Sequence, residues 1–409
     1  MSESAPLAAA QRLPRRLAGV FGALDDARVR WSLLRPPQSL AQPAGDIDVL
    51  VDPASLARAR EVLVAHGFVP IPAGRRDLHA GDVDPESGRF LWLHVQSELR
   101  VGGAAYPAAA VLDGVVRDPL PRPDDAWLAW IVLLHGLLDK GSIAERHRPA
   151  LARLAAAPDA AGNPLAELAA RRGLPRDELL ALAAAGEWER LEDLAVATLP
   201  AARRPLRDHV EDAAERARNL WTRRGVGVAV IGPDGAGKTT LVDALRESLP
   251  FPTRTLYMGL TGGRLPKADA LRVPGVVFAA RVAILWLRYG VGLYHRLRGR
   301  IVLFDRYTLD GTVPSGADLS RAARISRRIQ ASVCPAPDLV LLLDASGATM
   351  HGRKGEYDPQ RLETWRAAYA RLRGRVDGLE VLDAERPAED VRRDAVALVW
   401  RRYAERWRP

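Results

Sequence analysis

The run VGVAVI, then GPDGAGKTT from Gly232 to Thr240, then LVDALRESL, restricts this chain more than any other stretch. An uncharged apolar run reads as a buried strand, the glycine-rich segment as a turn, and the last part as a helix. Strand, G-x-x-x-x-G-K-T and helix in that order make a cradle for phosphate. Glycines at 232, 235 and 237 let main-chain N–H groups turn inward around an anion, and a helix opening near Lys238 adds the positive end of its dipole. Lys238 is expected to reach the β- and γ-phosphates of ATP and the Thr239 hydroxyl to meet Mg²⁺, with Asp234, Ala236 and Thr240 completing the loop.

Around this motif the chain reads as three parts. From 223 to 409, VGVAVI, TLYMG, IVLFD, DLVLLLD and LEVLD alternate with helical segments. Such alternation predicts an α/β domain, a five-stranded parallel sheet with helices on both faces. Residues 1–150 mix strand-like runs (VRWSLL, IDVLV, RFLWLHV) with helical ones, which predicts a smaller α+β domain. Residues 151–222 are Ala, Leu, Arg and Glu at helical spacing and are expected to form a helical connector.

A formal charge of +9 raises the question of a nucleic-acid partner. None is expected, because the excess is arginine spread along helices, with lysine only at 140, 238, 267 and 354. One cysteine, Cys334, excludes an intrachain disulfide and a cysteine metal cage, and fits a reducing cytoplasm. The N-terminus lacks the pattern of a secretory signal. The long apolar stretch VPGVVFAARVAILWLRYGVGLYHRL contains Arg281 and Arg288, each costing a few kcal/mol at bilayer depth. It is expected to be a buried or surface-docked helix, not a membrane span.

Two further segments belong with the loop. Asp305 ends the run IVLFD, Arg306 and Tyr307 follow it, and the carboxyl ends of parallel strands line the ligand crevice. There Asp305 can hold Mg²⁺ through water and Arg306 can fork onto a phosphate. HGRKGEYDPQRLETWRAAYARL places Arg353 and Lys354 before an amphipathic helix, where a closing lid would bring cations to a transferred phosphoryl group.

The segment from about 226 to 405 resembles the thymidylate kinase-like group of P-loop nucleoside monophosphate kinases in IGPDGAGKTT, FDRY and RKGE. The resemblance implies transfer of the ATP γ-phosphate to a small phosphorylated acceptor with Mg²⁺ between, dTMP being the first candidate. It further implies that Asp234 contacts the acceptor sugar and that Arg306 and Tyr307 lie at the acceptor. FAAR, with Phe278 and Arg281, is similar to a family helix that touches base and phosphate, one residue short in spacing. TLYMGLTGG departs from the arginine- and proline-containing segment usual after the second strand, which leaves the base open. A homodimer is among the options.

In the first part, Asp46-Ile-Asp48 opens a strand, so both carboxylates share one face, where they could bind divalent cations. The first 140 or so residues resemble the nucleotidyltransferase fold, whose D-x-D pair binds metal and nucleoside triphosphate. The Gly-Ser pair expected ahead of the acids is absent, PPQS standing there instead. On the neighbouring run the face of Trp92, His94, Gln96 and Glu98 offers histidine before any acid. His135, Asp139 and Lys140 read as a polar helix end. The acceptor-facing residues favour a small-molecule kinase over two alternatives, a regulatory ATP-binding module without an acceptor and nucleotidyl transfer by the first domain.

Overall fold

The computed structural model describes residues 13–34, 46–72, 77–118, 120–156, 163–198, 225–259, 274–313 and 321–407. The chain divides into two compact units, Met1–Asp82 with Leu91–Leu206, and Val83–Phe90 with Arg207–Pro409.

The first unit opens with α1 (Arg15–Asp26), β1 (Trp31–Leu33), β2 (Asp46–Val51), α2 (Leu56–Ala65), β3 (Val69–Pro72), β4 (Asp77–Val83) and β5 (Phe90–Gln96). The strands form one sheet in the order β1-β2-β5-β4-β3, with β2 and β5 parallel. Alternation sends Ile47, Val49, Leu91 and Leu93 into a core with Leu17, Phe21 and Leu24 of α1 and Leu63 of α2. Asp46 and Asp48 therefore share the opposite face. Hairpins β6 (Glu98–Val101) with β7 (Ala104–Pro107) and β8 (Val116–Arg117) with β9 (Pro121–Arg122) flank α3 (Ala108–Leu112).

Next come α4 (Asp125–Leu134), α5 (Arg148–Ala155), α6 (Pro164–Arg171), α7 (Arg176–Ala185) and α8 (Trp188–Thr198). Asp124 caps α4 by accepting from Trp127 N at 2.8 Å, and Asn163 caps α6 by accepting from Leu165 N at 2.9 Å. Trp130, Leu133 and Leu134 of α4 are buried with Leu151, Leu165, Leu179 and Leu191 of the later helices. The helices expected as a connector thus fold onto α4 as part of the first unit. A leucine stripe that finds a partner stripe has no reason to stand apart. His135, Asp139 and Lys140 lie in a π-helical turn, His135–Lys140, where Asp139 accepts from Gly102 N at 3.1 Å.

In the second unit, β10 (Val226–Ile231), α9 (Lys238–Ser248), β11 (Thr253–Tyr257), α10 (Pro274–Leu297) and β12 (Ile301–Asp305) precede α11 (Arg321–Ser332). There follow β13 (Leu339–Asp344), α12 (Gly347–Lys354), α13 (Pro359–Ala370), β14 (Leu379–Asp383) and α14 (Ala388–Ala404). The five strands run parallel in the order β11-β12-β10-β13-β14, as the alternating pattern predicts. Every residue of β10 is buried. Ala229, Ile231, Val302, Phe304, Val340 and Leu342 meet Leu285 of α10 and Tyr369 of α13 in one core. The alternate residues Val228, Val230, Leu303 and Leu341 are buried as well, so both faces are covered.

Helix α10 is the one helix among the described residues long and apolar enough to cross a membrane, and 11% of its apolar window is buried. It is not the buried helix among the placements expected: Leu285 points inward, while Trp286, Leu287 and Tyr294 are 50%, 70% and 53% exposed. Cys334 is buried and unpaired with another cysteine, and burial pushes its thiol up to about 11.

Asp338, just before β13, ties three segments together. Its carboxylate accepts from Gly227 N at 2.7 Å, from Arg296 at 2.8 Å and from Arg406 at 2.6 Å. Asp338→Ala would strand two guanidinium groups and a strand N–H, at a cost of about 3 kcal/mol. We predict that thermal unfolding of the second unit, followed by circular dichroism, falls by roughly 6–12 °C. A fall of less than about 2 °C would contradict this role.

Candidate active site

The loop between β10 and α9 has the conformation its glycines suggest. Gly235 and Gly237 have φ of 88° and 94°, in the left-handed region open to glycine. A Cβ on Gly235 would stand 2.4 Å from the Met350 carbonyl oxygen, so α12 packs directly over the loop. A Cβ on Gly237 would meet nothing within 4 Å. The space beside Gly237, at the first turn of α9, is open to an anion.

Lys238 is 5% exposed, and its Nζ donates to the Pro233 carbonyl at 2.6 Å and lies 3.3 Å from Asp234 Oδ1. Arg306 donates to the same Asp234 oxygen at 2.5 Å. Burial alone would raise the Asp234 carboxyl, but the charges of Lys238 and Arg306 more than offset it, so its pKa is lowered. Burial, then the neighbouring Arg306, lowers the Lys238 ammonium. Burial opposes the Arg306 charge, yet Asp234 holds its pKa above the ordinary value. Arg306 has a φ of 66°, unusual for a residue with a side chain, and its N–H is bonded to the Val230 carbonyl at 3.1 Å. Backbone strain of order 1 kcal/mol is thus retained where it aims the guanidinium at the loop.

Asp305 Oδ2 accepts from the Thr239 hydroxyl at 3.0 Å, and Asp305 Oδ1 is buried with no hydrogen-bond partner. A hydroxyl and a carboxylate with an unused oxygen, on two elements that meet at the loop, fit the hard oxygen donors that Mg²⁺ prefers. Thr239 and Asp305 would hold the ion.

Tyr307 is a core residue: it is 1% exposed, lies edge-on to Phe304 and donates its hydroxyl to the Pro335 carbonyl at 2.5 Å. Arg353 and Lys354 end α12 instead of lying in an open segment; Arg353 donates to the Ala384 carbonyl at 2.9 Å and Lys354 pairs with Glu356 at 3.0 Å. They do not meet Lys238 in this structure. Phe278 and Arg281 lie half-buried on α10. Of the departure TLYMGLTGG, TLYMG is described at 255–259, and LTGG lies outside the described residues.

Sequence reading missed Asp310 and Tyr369. Asp310 lies in the short helical turn Thr308–Thr312 after the Asp-Arg-Tyr run, and the Tyr369 hydroxyl donates to its Oδ1 at 2.8 Å. Burial raises the Asp310 carboxyl, with Tyr369, Lys238 and Arg306 acting against it. The one signal was an acid close behind a strand end, since Tyr369 is far along the chain.

In the first unit Asp46 and Asp48 share a face as expected, but Asp48 is engaged by His94, whose Nδ1 lies 3.1 Å from Asp48 Oδ1. The His79 ring stacks on His94 at 4.5 Å and on Trp92 at 5.4 Å. Among the described residues no group of three His, Cys, Asp or Glu is arranged to hold a metal ion. Beside the pair expected to share cations, the described residues place an imidazole and no third acid ligand. PPQS lies outside the described residues.

Burial and then the His94 charge bring His79 down to about 4. His94 is raised: burial works against its charged form, but the Asp48 hydrogen bond and the charges of Asp48, Asp77 and Asp46 prevail. His94 thus adds stability below its ordinary value of 6.5 that is lost as pH rises through its folded value. His79, hard to protonate when folded, removes stability as pH falls from 6.5 toward 4. We predict that ring NMR finds one histidine titrating near 4 and His94 above 6.5, and that Asp48→Asn lowers the latter. An unmoved His94 would refute the pairing.

A parallel sheet, a glycine loop around a buried lysine, and an arginine and an acid at the next strand end define a P-loop phosphotransferase, and the second unit is such an enzyme. A probable thymidylate kinase of Pyrobaculum calidifontis is 34% identical to this chain over 199 residues, covering 97% of that protein and 43% of this one. A probable thymidylate kinase of Pyrobaculum aerophilum is 32% identical over 196 residues, covering 96% of itself and 42% of this chain. The thymidylate kinase of Xanthomonas campestris pv. campestris is 32% identical over 205 residues, with 88% of it and 46% of this chain covered. No family model matches the chain. Through this shared segment the chain belongs to the thymidylate kinase family.

We predict that Lys238→Ala lowers phosphotransfer by at least about 10²-fold, the loss typical of one transition-state donor. The fold should persist, because Asp234 keeps its ion pair with Arg306. A variant with unchanged turnover in a radiolabel assay would remove Lys238 from the chemistry.

Proposed function

We propose that the second unit transfers the γ-phosphoryl group of ATP to the phosphate of a nucleoside monophosphate, with dTMP as the first candidate. The observation that carries this reading is the Asp234–Arg306 pair beside Lys238. A site that only bound and released nucleotide would need no second phosphate clamp facing the loop.

In this reaction the loop amides and Lys238 hold the β- and γ-phosphates, and Lys238 exchanges the Pro233 carbonyl for a phosphate oxygen. Arg306, already aimed by its backbone, binds the acceptor phosphate and sets one of its oxygens in line with the γ-phosphorus. That oxygen forms the new P–O bond as the bond to the β-phosphate oxygen breaks, and ADP leaves. Mg²⁺, when bound at Thr239 and Asp305, supplies charge neutralisation along the phosphates. Arg353 and Lys354 lie beyond the loop on α12, whose Met350 backs Gly235, and would act after movement of that helix end.

The test is incubation with γ-labelled ATP, Mg²⁺ and a panel of nucleoside monophosphates and sugar phosphates. Label is expected on a nucleoside monophosphate, dTMP foremost. Label on sugar phosphates alone would overturn the acceptor class.

A further inference from the structure

Ten large apolar side chains are exposed among the described residues, and seven of them lie on α10 or α11. Single exposed apolar residues are ordinary on a protein surface, whereas a concentration on two helices marks a face that binds something. On α10 the exposed positions Ala279, Ala283, Trp286, Leu287, Val291 and Tyr294 follow one another at helical spacing, with no charged residue among them. On α11, Ile325 and Ile329 are exposed and flanked at the same spacing by exposed Arg321, Arg324 and Arg328.

The two helices pack on one core. Leu285 of α10 lies in it with Val313 and Cys334, which stand before and after α11, and the Cys334 thiol donates to the Leu285 carbonyl at 3.8 Å. Their outward stripes therefore belong to the same side of the second unit.

Charge decides what can cover this side. Residues 274–300 and α11 hold nine arginines and no aspartate or glutamate, as many positive charges as the formal +9 of the whole chain. Arg296 is turned to Asp338 and Arg327 to the main chain, but Arg321, Arg324 and Arg328 are exposed, and Arg298 lies over the outward Tyr294 ring at 5.5 Å. The occupant must be anionic and must also take up aliphatic and aromatic surface. Nucleic acid meets the first need and leaves Leu287 and Val291 against phosphate. A second copy meets the other and sets arginine against arginine, since an isologous contact pairs a patch with itself. A bilayer carrying anionic lipid meets both: headgroups face the guanidinium groups, and the acyl boundary takes the apolar stripe, with Trp286 and Tyr294 at the depth aromatic rings favour. Leu285 faces the protein core, so the helix lies along such a surface and does not cross it.

We propose that α10 and α11 form a docking face for an anionic lipid bilayer, with α10 in the headgroup layer and the α11 arginines on lipid phosphates. This inference is independent of the kinase reading, because it concerns where the second unit works and not what it phosphorylates.

The test is co-sedimentation of the full chain with vesicles of phosphatidylcholine alone and of phosphatidylcholine and phosphatidylglycerol in equal parts. The chain should bind the anionic vesicles at least about tenfold more strongly than the neutral ones, and less as salt rises. Arg324→Gln combined with Arg328→Gln should weaken anionic binding about 20-fold, at roughly fivefold per arginine. Leu287→Gln should weaken it about five- to tenfold by removing apolar burial. Val196→Gln, on α8 at a valine 73% exposed, should change nothing, which separates a docking face from general adhesiveness. Circular dichroism should be the same for all of these variants, since each side chain is exposed; if Leu287→Gln does not fold, Ile325→Gln takes its place with the same expectation.

No sedimentation with anionic vesicles, or equal sedimentation with neutral ones, overturns the proposal. Soluble polyglutamate captured as tightly as the vesicles would make the partner an acidic chain, and overturns it too. A dimer in sedimentation velocity that Leu287→Gln dissociates, without vesicle binding, would give the face to a second copy and likewise end the lipid assignment.

Discussion

A lysine ammonium held almost wholly out of water is the constraint around which the second unit is arranged. Such a charge is costly to bury unless partners surround it. Here they are a main-chain carbonyl from its own loop and a carboxylate that an arginine from the next strand end also grips. That carboxylate can be shared because β10 and β12 are adjacent and in register, Val230 opposite Asp305. The parallel sheet is what brings Arg306, 72 residues away along the chain, to the carboxylate that already faces Lys238. Each is then available to exchange a protein partner for a phosphate without the site having to be built anew.

The same arrangement explains why so much of the second unit could be read in advance. VGVAVI is buried on both faces, and a run with no polar residue leaves few other placements. The phosphate loop is contiguous, so its geometry is written in adjacent residues. Arg306 was legible from its place at a strand end, though its left-handed backbone was not. Tyr307 was read with the acceptor from its place next to Arg306, whereas its ring is buried and its hydroxyl is spent on the Pro335 carbonyl, contacts made across the fold that adjacency does not reveal. Asp310 was invisible because its meaning depends on a hydroxyl contributed by α13.

In the first unit the pattern was harder to see. The strand DLHAGDV has a glycine and a buried aspartate where alternation should be clean, and VPIP carries prolines that weaken a strand reading. The helices after Arg148 showed their apolar stripes plainly, but a stripe does not say what it will pack against. The Asp48–His94 contact depends on strands far apart in sequence lying side by side in parallel, a register that the two short segments do not reveal separately.

The strand order of the second unit also bears on its biosynthesis. β10 leaves the ribosome well before β12 and β13, the two strands that flank it, so both of its edges stay open while much of the domain is still being translated. Pairing of such sequence-distant strands is slow, and an uncapped apolar edge is a template for wrong partners. The nascent chain therefore passes through an interval in which a strand that ends up wholly buried has neither edge protected. Yield in a cell will depend on chaperone capacity during that interval as much as on the stability of the finished protein.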